Sequence, residues 1–322
     1  MSTTTTPCLI QVNQAFDVPA PDQYVLEAYS ADARHPNIPR RMDEYVFRRE
    51  DLRDVLAFLS HPDGDALYIS GPTGCGKTSL VCQVAARLNW PVQQVTAHGR
   101  LELADLVGHH TLVNGNMAFV DGPLALAVRH GHLLILNELD LAEPAELAGL
   151  NDLLEGAPLV IAQNGGEVVQ PHPRFRFIAT GNSGGSGDST GLYQGVLQQN
   201  LAFLDRFRLM QVSYAEAAIE ETLLARDTPA LPPVFRQRMV QVANAIRRLF
   251  IGGGETGAEL SITLSTRTLV RWARLTLAFK GAPNAVEYAL ERALTARAEP
   301  EQREAIHRIA ADVFGDYWEV SA

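Results

Sequence analysis

The sequence predicts an α/β domain, in which a parallel sheet is covered by helices on both faces, followed by a smaller all-helical domain. Three observations lead to this prediction. Strand and helix patterns alternate along the first part of the chain, the strand patterns stop after about residue 213, and a glycine-rich loop at 71–78 stands between a strand and a helix. Strands that alternate with helices form parallel sheets, because each connection must cross back over a face of the sheet.

The individual strands and helices are predicted from the spacing of apolar residues. Short apolar runs predict strands, and apolar residues three and four positions apart predict helices. In the α/β domain, strands are expected at 66–70, 92–96, 132–136 and 174–180, and helices at 48–59, 77–88 and 143–154. In the helical domain, helices are expected at 215–226, 234–249, 266–279, 284–296 and 301–313.

Two β-hairpin inserts are predicted within the α/β domain, at 111–120 and 158–169. Each contains an Asn-Gly pair, at 114–115 and 164–165, between two apolar stretches. Asn-Gly suits a tight hairpin turn because both residues tolerate positive φ. From the sequence, the hairpins either touch a partner or only complete local packing.

The chain is expected to comprise three segments. Residues 1–45 are expected to be irregular, because prolines at 7, 19, 21, 36 and 39 interrupt any long helix. The α/β domain is expected over residues 46–212. The smaller helical domain is expected over residues 213–322.

The bulk composition is globular and acidic. The 322 residues include 27 Lys or Arg and 37 Asp or Glu, for a formal net charge of −10. This balance disfavours a broad nucleic-acid-binding face. No apolar run reaches the length needed to cross a membrane, and the N-terminus lacks the pattern of a signal peptide. With only 3 scattered cysteines, neither a disulfide framework nor a zinc site is expected, and the protein is predicted to be cytoplasmic.

Residues 71–78 match the phosphate-binding loop pattern G-x-x-x-x-G-K-[ST] at every fixed position. The glycines let backbone N–H groups surround phosphates, Lys77 can reach the β- and γ-phosphates, and the Thr78 hydroxyl can ligate Mg²⁺. The next helix directs its N-terminus at the anion. The sequence therefore predicts a nucleoside triphosphate site. Its residues are Gly71, Pro72, Thr73, Gly74, Cys75, Gly76, Lys77, Thr78 and Ser79.

A phosphate loop needs a second, acidic strand to hold Mg²⁺ and to activate the attacking water. Residues 133–138 fit, with four apolar residues followed by Asn137 and Glu138 at the end of the strand where such sheets bind ligands. Glu138 is predicted to polarise the water. Asn137 is predicted to accept a bond from metal-bound water, but it brings no negative charge, so weaker Mg²⁺ binding and slow hydrolysis are expected. Asp140 is predicted to cap the helix ahead of Glu143 rather than to compensate as a carboxylate.

Three further residues are candidates for contact with the nucleotide or the attacking water. Asn182 follows a predicted strand and either orients the water or only forms a turn. Arg206 lies at the end of a predicted helix, and Arg267 lies at a helix start that Ser265 or Thr266 can cap. A guanidinium near the γ-phosphate stabilises transition-state charge and can come from a neighbouring subunit. The alternative for each arginine is a solvated ion pair.

Taken in order, these motifs resemble those of an AAA+ ATPase of the MoxR branch. The segments that correspond to Walker A, Walker B, sensor 1, the arginine finger and sensor 2 are 71–78, 133–138, 179–182, 204–207 and 265–267. The two predicted hairpins match those of that branch. Within it, the chain resembles the CobS-type ATPase subunits of aerobic cobaltochelatases over roughly residues 10–315. The stretches that carry this likeness are 84–91, 171–176 and 187–195, continuing through 198–206.

The resemblance implies a homo-oligomer, a hexameric ring that binds ATP and Mg²⁺ at its subunit interfaces. Arg206 would act on the nucleotide of the neighbouring subunit. Members of this branch work with a partner that carries a von Willebrand A domain and remodel a large target enzyme, which for the cobaltochelatases inserts Co²⁺ into a corrin precursor. The residues that would act within their own subunit are Lys77, Thr78, Glu138, Asn182 and Arg267.

Two departures from the CobS-type pattern bear on function. Asn137 stands where an Asp is usual, and residues 141–151 differ from the sequence expected of a cobaltochelatase subunit. The leading hypothesis is an ATP-hydrolysing ring that remodels a partner, a cobalt chelatase being one target. The alternative is a nucleotide-gated scaffold or MoxR-type chaperone with weak hydrolysis, serving a non-cobalamin target. Glu138 and the two arginines favour the motor, because a retired site has no need of them.

Overall fold

The structure is a computed structural model that describes residues 6–30, 35–113, 115–187, 195–250 and 260–318. The chain divides into two units, residues 1–71 with 77–212 and residues 72–76 with 213–322. Each unit has a hydrophobic core of its own.

The first unit contains the described strands and eight of the helices that the structure defines. The strands are β1 (Pro7–Gln11), β2 (Val25–Tyr29), β3 (Ala66–Ser70), β4 (Val92–Thr96), β5 (Gly108–Val113), β6 (Asn116–Asp121), β7 (Leu133–Asn137), β8 (Leu159–Ile161), β9 (Glu167–Val169), β10 (Arg176–Gly181) and β11 (Phe207–Gln211). The α-helices are α1 (Val12–Phe16), α2 (Arg49–Ser60), α3 (Lys77–Arg87), α4 (Leu103–Val107), α5 (Pro123–His130), α6 (Pro144–Leu147), α7 (Asn151–Leu154) and α8 (Leu201–Leu204).

Five strands form one parallel sheet in the order β11-β3-β10-β7-β4. Strand β7 is the most deeply buried part of it, since Leu133–Leu136 are 0% exposed. Buried apolar residues on consecutive positions are typical of a parallel strand that is covered on both faces. The predicted α/β class is therefore confirmed. All five strands end at one edge, which we call the carboxyl edge of the sheet.

Both predicted hairpins are present, although Asn114 lies outside the described residues. Strands β5 and β6 pair antiparallel, as do β8 and β9. Leu112 pairs with Met117 in the first hairpin, and these side chains are 69% and 65% exposed. Val160 pairs with Val168 in the second, and each is 58% exposed. The hairpins therefore present apolar side chains to solvent in cross-strand pairs.

The segment 1–45 was predicted to be irregular, and that prediction is wrong for its described part. Strands β1 and β2 pair antiparallel over five residue pairs, with α1 between them. Pro7 opens β1, a position where a proline costs no ladder hydrogen bond. The pair is anchored to the main sheet unit, because Tyr29 N–H donates to Leu88 O at 2.9 Å and Arg174 Nη1 donates to Ala28 O at 3.0 Å.

The helix predicted at 143–154 is broken into α6, a single 3-10 turn at Ala148–Leu150, and α7. Gly149 lies at the break, and a Cβ there would be 2.5 Å from the Leu103 side chain. Close packing at this glycine, which is also a weak helix former, accounts for the interruption. The sequence patterns also missed α4, α5 and strand β11.

In the part that the structure describes, all the regular secondary structure of the second unit is helical, as predicted. Its α-helices are α9 (Ala217–Asp227), α10 (Pro233–Phe250), α11 (Thr266–Ala278), α12 (Ala285–Ala293) and α13 (Pro300–Phe314). Trp272 and Phe314 are fully buried in its core. Among the described helices of the chain, none is long and apolar enough to cross a bilayer.

A cluster of histidines lies at the amino end of β7. His132 is 5% exposed, and its Nδ1 lies 3.0 Å from Gln93 Nε2. Its ring lies 4.9 Å from that of His35 and 5.7 Å from that of His130. Burial, together with the nearby His35, His130 and His172, lowers the pKa of His132 to about 4.

We expect the first unit to lose stability below about pH 6.5. The unfolded chain binds a proton at His132 below that pH, whereas the folded chain does so only near pH 4, so the free energy of unfolding falls by on the order of 3 kcal/mol over that range. Urea denaturation between pH 7.5 and 4 measures the loss. His132→Asn should flatten the dependence, and His109→Asn, a change at an exposed histidine, should not. A parent-like pH dependence for His132→Asn would contradict the expectation.

Candidate nucleotide-binding site

The candidate site lies at the carboxyl edge of the sheet, where three segments distant in sequence meet. The phosphate loop follows β3, Glu138 follows β7, and Asn182 follows β10. Because β3, β10 and β7 are neighbours in the sheet, these three segments are side by side. This edge is where open α/β sheets bind ligands.

The phosphate loop has the backbone that its glycines predict. Gly76 has φ +100°, a conformation open to glycine at little cost, and nothing lies within 4 Å of a Cβ placed there. Helix α3 begins at Lys77, which is 7% exposed. The Lys77 ammonium donates to Gly71 O at 2.7 Å. The ammonium is therefore held at the mouth of the loop, beside the N-terminus of α3.

The tip of the loop belongs to the second unit. Residues 72–76 group with it. The Tyr214 hydroxyl donates to Thr73 O at 3.1 Å, and a Cβ at Gly74 would lie 2.5 Å from the Ser265 Cβ. The side chains of Tyr214 and of Ser265, the N-cap residue of α11, thus contact the backbone of the loop, and Ser265 leaves no room for a larger residue at Gly74.

The Asn137 side chain is held by three hydrogen bonds. Its Oδ1 accepts from the Thr78 hydroxyl at 2.6 Å and from the Thr180 hydroxyl at 3.2 Å. Its Nδ2 donates to Val95 O at 3.3 Å. The amide oxygen therefore faces Thr78, and an aspartate in this orientation would place an oxygen against the Val95 carbonyl.

Glu138, Asn182 and Lys77 form a chain of hydrogen bonds. Asn182 Nδ2 donates to Glu138 Oε2 at 2.9 Å, and Lys77 Nζ donates to Asn182 Oδ1 at 2.9 Å. Glu138 has φ 54° and ψ 43°, the left-handed conformation that side chains other than Gly, Asn and Asp rarely adopt. Such strained residues cluster at functional sites. The structure thus joins the candidate base to the phosphate-loop lysine through Asn182.

Asp140 does not cap a helix, so that prediction is wrong. The residue that precedes α6 is Glu143, and it makes no side-chain cap. Asp140 lies instead in the 3-10 turn Leu139–Leu141, is 1% exposed, and accepts hydrogen bonds from Tyr68 and from the backbone at Asn182. The spacing between Asp140 and Glu143 is typical of a helix cap. The actual contacts of Asp140 depend on the pairing of strands that are distant in sequence.

Arg206 lies at the opposite edge of the sheet from this cluster. It immediately precedes β11, and Ala66 N–H donates to its carbonyl at 2.9 Å. Arg206 therefore lies level with the residue before β3, about 20 Å from the phosphate loop at ~3.3 Å per strand residue. Its guanidinium donates to Ala202 O and to Glu155. The Nε is buried and has no hydrogen-bond partner among the described residues.

Arg267 lies in the first turn of α11 and is exposed. The helix is capped by Ser265, whose side chain accepts from Thr268 N–H at 3.2 Å, as predicted. Arg267 belongs to the second unit. Neither arginine is part of the hydrogen-bonded group Lys77, Asn182 and Glu138 at the carboxyl edge, among the hydrogen bonds of the described residues.

The residues at the carboxyl edge fit a magnesium nucleotide. The Thr78 hydroxyl and the Asn137 amide oxygen converge at the N-terminus of α3, and Mg²⁺ prefers oxygen ligands of this kind. Lys77 and the first N–H groups of α3 suit phosphate oxygens. Sequence reasoning missed Thr180, which donates to Asn137 from within β10, and Tyr68, which is fully buried in β3. A strand pattern does not reveal which polar side chains face a site.

The chain matches two family models. Residues 66–207 match the family described as AAA domain (dynein-related subfamily). Residues 220–313 match the family described as CbbQ/NirQ/NorQ C-terminal. The first match lies in the first unit apart from residues 72–76, and the second match lies in the second unit.

Two curated relatives match over most of their length. Aerobic cobaltochelatase subunit CobS from Sinorhizobium sp is 33% identical over 256 residues, which cover 76% of this chain and 74% of that protein. Protein NorQ from Paracoccus denitrificans is 32% identical over 250 residues, which cover 77% of this chain and 86% of that protein.

The solved structure of the Holliday junction branch migration motor RuvB from Thermotoga maritima has a similar fold. It superposes with a TM-score of 0.50 and 13% identity, covering 87% of this chain and 80% of that one. The fold and the phosphate loop define a P-loop protein of the AAA+ class. The chain belongs to the MoxR branch of the AAA+ ATPases, in the group that contains CobS, NorQ and NirQ.

We expect Asn137→Asp to strengthen Mg²⁺-dependent nucleotide binding. One added negative charge beside the cation is worth at least about 1 kcal/mol, the value for unit charges 4 Å apart in bulk water, or at least a roughly fivefold lower Mg²⁺ concentration for half-maximal binding. The melting temperature should fall, because a carboxylate oxygen replaces the donor to Val95 O. Binding of a fluorescent ATP analogue across a Mg²⁺ series tests this. Gln94→Glu, an equal charge on the exposed face of β4, is the control, and an unchanged Mg²⁺ dependence would refute the expectation.

Proposed function

We propose that this chain is an ATP hydrolase that assembles into a hexameric ring and couples ATP binding and hydrolysis to the remodelling or activation of a partner protein. The observation that carries the proposal is the separation of Arg206 from the cluster at the carboxyl edge. Lys77, Glu138 and Asn182 are joined by hydrogen bonds, whereas Arg206 lies at the other end of the same sheet. A residue in that place reaches a nucleotide only in a neighbouring subunit.

Each residue of the cluster has a distinct role in this proposal. Mg²⁺ neutralises charge on the phosphates when the nucleotide is bound. Thr78 and Asn137 would hold the cation, and Lys77 would exchange its bond to Asn182 for a phosphate oxygen. Glu138 would accept a proton from the attacking water, which Asn182 would orient. The left-handed backbone at Glu138 directs its carboxylate toward Asn182.

The contacts of Arg206 suit an arginine that exchanges partners on assembly. Its side chain is 22% exposed, and Glu155, its ion-pair partner, is 59% exposed. An ion pair that open to solvent contributes little stability. A phosphate of the neighbouring subunit would replace Glu155, and it could also accept from the Nε that is buried without a partner among the described residues. Arg267 would contact phosphate within its own subunit.

The partner in this proposal is a protein with a von Willebrand A domain, acting with a large target enzyme. The exposed apolar pairs on the two hairpins suit contact with another protein. The CobS relative is named as a cobaltochelatase subunit, which favours a metal chelatase as the target. The name of the NorQ relative does not mention a chelatase. The function of this chain is therefore proposed at the level of partner activation, with cobalt chelation as one form of it.

A nucleotide-gated scaffold or chaperone with weak hydrolysis, serving a non-cobalamin target, is the second candidate. One observation favours it. Asn137 brings no charge to the cation, and the nearby carboxylate of Asp140 is engaged with three donors. In that case ATP binding alone would assemble the ring.

Glu138→Gln should reduce ATP turnover by roughly 100-fold or more, because it removes the general base. Nucleotide affinity and ring mass should stay unchanged, whereas Lys77→Ala should abolish binding. Steady-state hydrolysis and light scattering with and without ATP measure these effects. Glu143→Gln, an exposed position five residues along, should retain full turnover. Parent-rate hydrolysis by Glu138→Gln would show that Glu138 is not the base, and assembly without turnover in the parent would favour the scaffold.

Mixing inactive variants tests whether Arg206 acts across the interface. Arg206→Ala and Glu138→Gln rings should each be inactive. An equal mixture should regain turnover, since up to about a quarter of the interfaces in a ring then combine an intact Glu138 with an intact Arg206. If Arg206 acted within its own subunit, mixing would restore nothing. Arg208→Ala, which removes a neighbouring arginine paired with Asp63 and Asp65, should remain active alone.

A further inference from the structure

A buried pair formed by Tyr68 and Asp140 lies directly behind Asn182. Tyr68 is 0% exposed and Asp140 is 1% exposed. The Tyr68 hydroxyl donates to Asp140 Oδ1. The other carboxylate oxygen, Oδ2, accepts from the backbone N–H groups of Asn182 and Ser183, both at 2.8 Å. Three donors on one buried carboxylate fix its position and fix the backbone that it binds.

The backbone before Asn182 is packed against this pair. A Cβ on Gly181 would lie 2.1 Å from the Tyr68 hydroxyl oxygen and 2.7 Å from Asp140 Oδ2. Only glycine fits in that contact. Strands β3 and β10 are neighbours, with Tyr68 level with Ala179, so the tyrosine reaches the end of β10 from the adjoining strand.

Asp140 also lies in the same turn as the candidate base. Glu138 immediately precedes the 3-10 turn Leu139–Leu141 that contains Asp140. Asn182 is therefore bound twice by residues 138–140, through its backbone by Asp140 and through its side chain by Glu138. The two bonds fix both the place of Asn182 and the direction of its amide toward Lys77.

We propose that Asp140, supported by Tyr68, is a positioning residue that sets Asn182 between Lys77 and Glu138 for ATP turnover. Asp140 acts through the backbone of residues 182 and 183 and does not itself contact the nucleotide. Burial and the Asp140 carboxylate raise the pKa of Tyr68, so its hydroxyl keeps the proton that it donates. The inference deepens the proposed ATPase function and rests on it.

Asp140→Asn is the informative substitution. The amide keeps the size of the side chain and one oxygen for the two N–H groups, and its NH₂ can face the Tyr68 oxygen. The fold is retained while the hydrogen bonds lose their ionic partner. In hydrogen exchange of the nucleotide-free protein, the amides of Asn182 and Ser183 should exchange faster than in the parent. This readout does not depend on catalysis.

A kinetic cycle separates positioning from general destabilisation. Asp140→Asn should lower kcat by roughly 10- to 100-fold, the size of effect that a displaced catalytic group produces, with ATP affinity changed less than about threefold. In an Asn182→Ala background the same substitution should change kcat less than about twofold, because two changes that act through one residue do not add. Tyr68→Phe, which keeps both backbone bonds, should have a smaller effect than Asp140→Asn.

Trp90→Phe is the control for lost stability. It removes a buried hydrogen bond to Gly131 O at the other edge of the sheet, and should lower the melting temperature without lowering kcat. Unchanged exchange at Asn182 and Ser183, or an equal loss of kcat with and without the Asn182 side chain, would overturn the proposal. If the parent hydrolyses no ATP, the proposed function fails, while the exchange measurement still decides whether Asp140 holds this backbone.

Discussion

The common direction of five strands is the constraint on which the candidate site depends. Because β3, β7 and β10 end at the same edge, the phosphate loop, Glu138 and Asn182 meet although they are far apart in sequence. The same constraint places Arg206 at the other edge, since it precedes its strand rather than following it. One topological fact thus assembles most of the site and separates one arginine from it. In the proposed function, a site shared between subunits would complete this distribution.

Local patterns in the sequence were sufficient for the phosphate loop, the buried strand before Glu138 and the hairpins. They were insufficient where structure depends on a distant partner. Strand β11 was missed because it is an edge strand, with Leu209 68% exposed, and it is ordered by pairing with β3. Asp140 was assigned to a cap because a cap can be formed by local residues alone. Its actual bonds to Tyr68 and Asn182 span 72 and 42 positions of sequence, which no local pattern encodes.

Asn137 illustrates a conflict between metal affinity and hydrogen-bond satisfaction. An amide offers both a donor and an acceptor, so one side chain satisfies the Val95 carbonyl and two hydroxyls. A carboxylate is an acceptor only, and would leave two oxygens facing each other near Val95. The chain therefore gains a satisfied buried group and gives up a negative charge beside the proposed cation. Cation affinity would then depend more on the nucleotide phosphates than on the protein.

The second unit fixes the start of α11 with a buried ion pair. Arg247 and Glu220 are 4% and 0% exposed at their side chains and pair through two bonds of 2.7 and 2.8 Å. Removing two charged groups from water costs several kcal/mol each. Here both groups also hydrogen-bond to the chain around the start of α11. Arg247 Nε donates to Leu264 O, and Glu220 accepts from the Thr266 hydroxyl. The backbone beside Arg267 is therefore held by charged groups while the Arg267 side chain is exposed. An ordered backbone and an exposed guanidinium would allow Arg267 to contact phosphate in the proposed function.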